Sequence, residues 1–130
     1  MVALKEVMSR HYDSVHPDAS ARDAFRLMTA LNLSMLPVSE ERRLVGMLCD
    51  APAVAEDSEL KVRDVMSSEV LTGREDQDVR ELIAVMRRKD IRTLPVLDAN
   101  KELVGVFTLG GPWKRSGPGP RRSASEGRFP

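Results

Sequence analysis

The chain has a single cysteine, Cys49, among its 130 residues. No disulfide framework can be built on it, and such usage suits a reducing cytosol. No apolar run approaches the ~18 residues that a membrane-spanning helix needs. The opening stretch MVALKEVMSRHYDSVH lacks the long apolar centre of a secretory signal. A phosphate-cradling glycine loop is missing, because Gly110-Gly111 is not followed by Lys and then Ser or Thr. His11 and His16 have no cysteine nearby and fit no firm metal-ligand spacing. Cys49 has no readable histidine partner or oxyanion feature for nucleophilic chemistry. These absences lead to the expectation of a cytoplasmic, non-membrane protein with no catalytic residues and no metal site.

What is present is enough for a packed core: 42% hydrophobic and 31% charged residues. Net charge is zero overall but unevenly placed. Residues 112–130 hold Lys114, Arg115, Arg121, Arg122 and Arg128 against Glu126, a net of +4 that leaves −4 for residues 1–111. The tail is rich in Gly, Pro and Arg and is expected to be disordered. Only Trp113 and Phe129 in it could stack on bases, and nothing in the body reads bases, so nucleic acid is not an expected partner.

The body is a duplication. LKEVMS at 4–9 returns as VRDVMS at 62–67, SMLPVSEERRLVG at 34–46 as RTLPVLDANKELVG at 92–105. Met8 to Met66, Met28 to Met86 and Pro37 to Pro95 are each 58 apart, whereas Gly46 to Gly105 is 59, so the second turn has gained one residue. Each Leu-Pro-Val and Leu-Val-Gly pair, separated by polar residues, reads as a β-hairpin. Glu40-Glu41-Arg42 is the first turn. Short strands are expected at 12–16 and 70–72.

Helices should start at Ser20 and Asp78, with Asp23 and Glu81 as capping partners. Ala21, Ala24, Phe25, Met28 and Leu31 give one apolar face, and Val79, Leu82, Ile83 and Met86 the other. Asn32 should end the first helix. Another short helix is expected after Pro52.

The ordered set V-R-D-V-M-S, helix, I-R-T-L-P-V-L-D, L-V-G-V-F-T, met twice, resembles the CBS domain, and the pair resembles a Bateman module. The resemblance covers residues 4–111. It implies an α+β fold of two β-α-β-β-α repeats, residues 1–60 and 61–111, packed around a pseudo-twofold axis. It further implies a regulatory module that takes an adenosine-containing ligand such as AMP, ADP, ATP or S-adenosylmethionine between the repeats. No cofactor is implied beyond that ligand. Homodimerisation and an unknown regulated partner protein are also implied. The second repeat is expected to lack its last helix, because Gly110-Gly111-Pro112 breaks the chain.

The family motif is Gly, two apolar residues, Ser or Thr, two residues, then Asp or Asn. The first repeat has Cys49 at the hydroxyl position and Pro52 at the ribose carboxylate position, with Asp50 two positions early. The second has Thr108 at the hydroxyl position and Gly111 in place of the acid. The resemblance therefore leaves Thr108, Arg92, Val106, Ser34 and Asp13 as candidate ligand-binding residues. Arg92 is placed to meet phosphates with Ser34 as its counterpart, Val106 to line an adenine slot, and Asp13 to edge the base. Arg92 could equally be a solvent-facing residue paired with Asp90 or Asp98. Loss of both ribose acids supports an alternative, a degenerate pair retained as a dimerisation or scaffold unit.

Overall fold

Two hairpins form where Leu-Pro-Val and Leu-Val-Gly recur. In the computed structural model, which describes residues 1–49 and 59–110, β1 (Met35–Glu40) pairs antiparallel with β2 (Arg43–Cys49). In the second half β4 (Thr93–Leu97) pairs antiparallel with β5 (Leu103–Thr108), and the two-residue β3 (Gly73–Arg74) runs parallel to β4. The first turn is Glu41-Arg42, both at positive φ, 52° and 72°. The longer second turn, 98–102, closes on Asp98, whose carboxylate accepts from the Asn100 and Glu102 amides at 2.8 and 2.9 Å.

Both helices start at the expected cap residues, although Asp78 meets the Arg80 amide rather than Glu81. α1 (Ala21–Leu31) starts at Ser20, whose Oγ accepts from the Asp23 amide at 3.2 Å. It ends at Asn32, in the left-handed region at φ 55° and ψ 47°, a conformation that Asn tolerates better than most residues. α3 (Val79–Arg88) starts at Asp78, whose carboxylate accepts from the Arg80 amide at 3.0 Å. α1 buries Ala24, Phe25 and Met28, and α3 buries Val79, Leu82 and Met86.

The expected strand at 12–16 is reduced to one parallel bridge, Val15 to Val38. The expected strand at 70–72 falls slightly later, at Gly73–Arg74. Both segments are too short for alternation to fix their length. The helix expected after Pro52, the missing last helix, and the tail with Trp113 and Phe129 all lie outside the described residues.

The packing crosses between repeats. Leu4, in a 3₁₀ turn at Leu4–Glu6, is fully buried in the second core with Leu82, Met86, Leu94 and Phe107. Val62, which starts the short α2 (Val62–Val65), is fully buried in the first core with Phe25, Met28, Leu36 and Leu48. The backbone bonds repeat the exchange. The Leu4 amide donates to Gln77 O at 2.8 Å and the Val62 amide to Ala19 O at 2.9 Å. Ser9 and Val106 exchange both backbone bonds, as Ser67 and Met47 do, each at 2.8–2.9 Å. Each half thus receives an extra edge residue from the other.

Arg43 and Glu102 occupy equivalent positions of the two repeats and form an antiparallel bridge with each other. The pseudo-twofold axis passes between them. Nearby, the Leu103 amide donates to Arg42 O at 2.7 Å and the Tyr12 hydroxyl to Leu103 O at 3.2 Å. Burial of the Tyr12 ring holds its phenol above the usual pKa of 10.0. Among the described residues no helix is long and apolar enough to cross a membrane.

Candidate functional site

The strand ends opposite the hairpin turns carry the candidate chemistry. β4 opens and β5 closes at the same level, so Thr93 pairs with Thr108. Their hydroxyls lie 3.2 Å apart, a hydrogen bond in which either can donate. Just outside this pair, the Arg92 guanidinium donates to Leu109 O at 3.3 Å, and the Leu109 amide donates to Arg92 O at 2.8 Å. Arg92 is bonded to a carbonyl rather than to Asp90 or Asp98. It lines an open groove of about 340 Å³ with Arg87, Asp90 and Gly110.

The structure brings Arg92 and Thr108 to one end of the second hairpin. Val106 lies two residues before Thr108 on β5, and alternate strand residues share a face. It is 1% exposed and its backbone is held by Ser9 on one side, with Pro95 as its partner on the other. Ser34 is exposed, one residue before β1, as Arg92 is one residue before β4. Asp13 is 1% exposed, in the irregular segment before Val15.

A second feature lies between the repeats. Met35 at the start of β1, with Met47 and Cys49 on β2, forms one wall of a cavity of about 120 Å³. Thr93 and Pro95 on β4, with Ile91 just before it, form the facing wall. The irregular segment after α2 closes it with Ser67, Glu69, Val70 and Leu71. Met35 and Thr93 are equivalent residues of the two repeats, so this cavity lies beside the pseudo-twofold axis, on the side of Cys49 rather than of Thr108.

Most of this lining was missed by sequence reasoning. Residues 67–71 have no regular structure, and no periodicity announces a wall built from an irregular segment. The repeat itself held the usable signal. An offset of 58 or 59 relates Leu71 to Asp13 and Cys49 to Thr108. Cys49 is exposed at the end of β2. Pro52, Asp50 and Gly111, which decide the ribose-acid question, lie outside the described residues. Among the described residues no cluster of His, Cys, Asp or Glu could hold a metal ion.

The comparisons with known proteins agree with the duplicated fold. The family model of the CBS domain matches residues 4–51 and 62–110. The chain is 32% identical over 116 residues to the CBS domain-containing protein YhcV of Bacillus subtilis, covering 85% of this chain and 82% of that protein. It is 34% identical over 107 residues to inosine-5′-monophosphate dehydrogenase of Methanocaldococcus jannaschii, covering 80% of this chain but 21% of that enzyme. Among solved structures it resembles the CBS domain pair of protein MJ0100 in complex with 5′-methylthioadenosine and S-adenosyl-L-methionine. The TM-score is 0.70 at 26% identity, covering 82% of this chain and 92% of that one.

Proposed function

The chain belongs to the CBS-domain family as a tandem pair, and from that premise we propose that it is a regulatory module sensing an adenosine-containing ligand between its repeats. It comprises two repeats, residues 1–60 and 61–111, and a basic tail, 112–130. Its role is to bind and transmit rather than to catalyse: the match to inosine-5′-monophosphate dehydrogenase spans only 21% of that enzyme. The module acts as a homodimer on a separate partner protein in the cytoplasm.

The observation that carries the proposal is the strand-end cluster, with the Thr93 and Thr108 hydroxyls 3.2 Å apart and the Arg92 guanidinium beside them on Leu109 O. Hydroxyls and a guanidinium at one strand end are donors suited to phosphate. The repeat offset adds Asp13 and Val106, the counterparts of Leu71 and Met47 in the inter-repeat cavity, as base-edging and base-lining groups. Ser34 lies at the counterpart of Arg92. Ligation of S-adenosyl-L-methionine by the related pair supports the ligand class.

Calorimetric and thermal-shift titration with AMP, ADP, ATP and S-adenosylmethionine tests the reading. A ligand at a hundred times its Kd adds about 2.7 kcal/mol of stability. Arg92→Ala should weaken AMP and ATP more than adenosine. No heat and no shift with any of them up to millimolar would leave the alternative, a degenerate pair serving as a dimerisation unit. The departures at Cys49, Pro52 and Gly111 favour that alternative.

A further inference from the structure

We infer that the cavity beside Cys49 selects adenosine-type ligands that carry no phosphate, neutral or cationic, and turns nucleotides away. The inference rests on the sensing function proposed above and sharpens it for one of the two sides of the axis.

Three features support it. The first is charge: Glu69 is the one charged residue among those that line the cavity, and no described lining residue is cationic. A phosphate brought here meets a carboxylate and no basic partner, whereas a sulfonium or ammonium meets a favourable one. Arg92 and Arg87 line the separate groove beside Leu109 and Gly110.

The second is the donor set. Cys49 stands at the position where the other repeat presents the Thr108 hydroxyl, and a thiol is a weak hydrogen-bond donor. Leu71 stands where the other repeat has Asp13. The first exchange removes a hydroxyl donor and the second a base-edging acceptor, so the uncharged hydroxyls of Ser67 and Thr93 are what this lining keeps.

The third is shape and softness. About 120 Å³ is below the ~300–1,000 Å³ of sites that engulf a drug-sized ligand. It suits one planar ring, with the remainder of the ligand emerging past Ser67 and Glu69. Met35, Met47 and Cys49 present polarizable sulfur from one wall, which favours contact with an aromatic face.

Cys49 is the chain's single cysteine and is exposed, so its alkylation rate reports occupancy of this cavity alone. The full chain is labelled with a thiol reagent in the presence of adenosine, S-adenosylmethionine, AMP or ATP, with calorimetry run in parallel. Adenosine and S-adenosylmethionine should slow labelling at concentrations about tenfold or more below those AMP and ATP require. AMP or ATP protecting Cys49 as well as adenosine does would overturn the inference while leaving adenosine sensing intact. So would heat from any of the four ligands with no protection of Cys49 by adenosine or S-adenosylmethionine. Absence of heat with all four defeats the sensing proposal itself, and this inference with it. Glu69→Lys, at an exposed position, should draw AMP protection toward that of adenosine; no movement would remove the electrostatic basis.

Discussion

The Met66 sulfur lies 2.8 Å from the point where a Cβ on Gly46 would stand. The equivalent pair repeats the contact, with the Met8 sulfur 2.7 Å from the same point on Gly105. These glycines end the two Leu-Val-Gly runs because the exchanged Met-Ser segment crosses the strand there. Ser67 O and Ser9 O stand 2.7 and 2.9 Å from the same two points, and backbone oxygens cannot swing aside.

Gly46→Ala and Gly105→Ala should therefore each destabilise the fold by about 1–3 kcal/mol, the usual cost of overpacking a filled site. Urea melts of the two variants measure this. Because the carbonyls clash as well as the sulfurs, adding Met66→Ala to Gly46→Ala should restore only part of the loss. Full recovery would mean that the methionine alone demands the glycine.

Leu4→Ala should cost about 2–5 kcal/mol, since it empties a fully buried site in the second core. Hydrogen exchange gives the more telling readout. Protection should fall first in α3, β4 and β5, seventy residues or more from the substitution. A loss confined to residues 1–30 would contradict the exchanged packing.

Arg63 holds the Asp18 carboxyl below its ordinary value of 3.8, chiefly through their hydrogen bond, 2.8 Å from Nε. A carboxyl whose folded pKa is lowered contributes stability above its unfolded pKa and loses it as pH falls through the folded value. The melting-temperature gap between the protein and Arg63→Ala should thus be full at pH 5–7 (about a unit or more above the unfolded value) and close progressively below pH 4. Both groups are about half exposed, so the gap should also shrink with salt.

Tyr12→Phe should cost about 0.5–1.5 kcal/mol through loss of the bond to Leu103 O. The phenol is raised by burial, so the folded state keeps its proton where the unfolded state has released it. Its contribution is complete below pH ~10 and disappears as pH rises through the folded value. Alkaline melts of the protein and of Tyr12→Phe should converge above that pH.

Much of the fold could be read in the residues. The 58-residue offset implied two similar halves, Ser20 and Asp78 implied helix starts, Asn32 a helix end, and Glu40-Glu41-Arg42 a turn, of which Glu40 proves to close β1. Each is a local signal, settled by a side chain and its near neighbours. The exchange of residues 3–9 and 61–67 was not legible. Apolar periodicity shows which face of a segment is buried but not which half of the molecule buries it. The candidate site divides in the same way. Arg92 and Thr108 follow from motif positions on one hairpin, while Glu69, Val70 and Leu71 line a cavity only because an irregular segment from the second repeat folds over strands of the first.

The crossed segments bear on how such a protein could have arisen. A lone copy of the repeat would lack the clasp that fills its own core, yet would carry the one its twin needs. Two separate copies could satisfy each other only by pairing, so the duplication reads as a swapped dimer made covalent. Severing the chain within residues 50–58 should accordingly yield two fragments that complement each other, and neither should hold its structure alone.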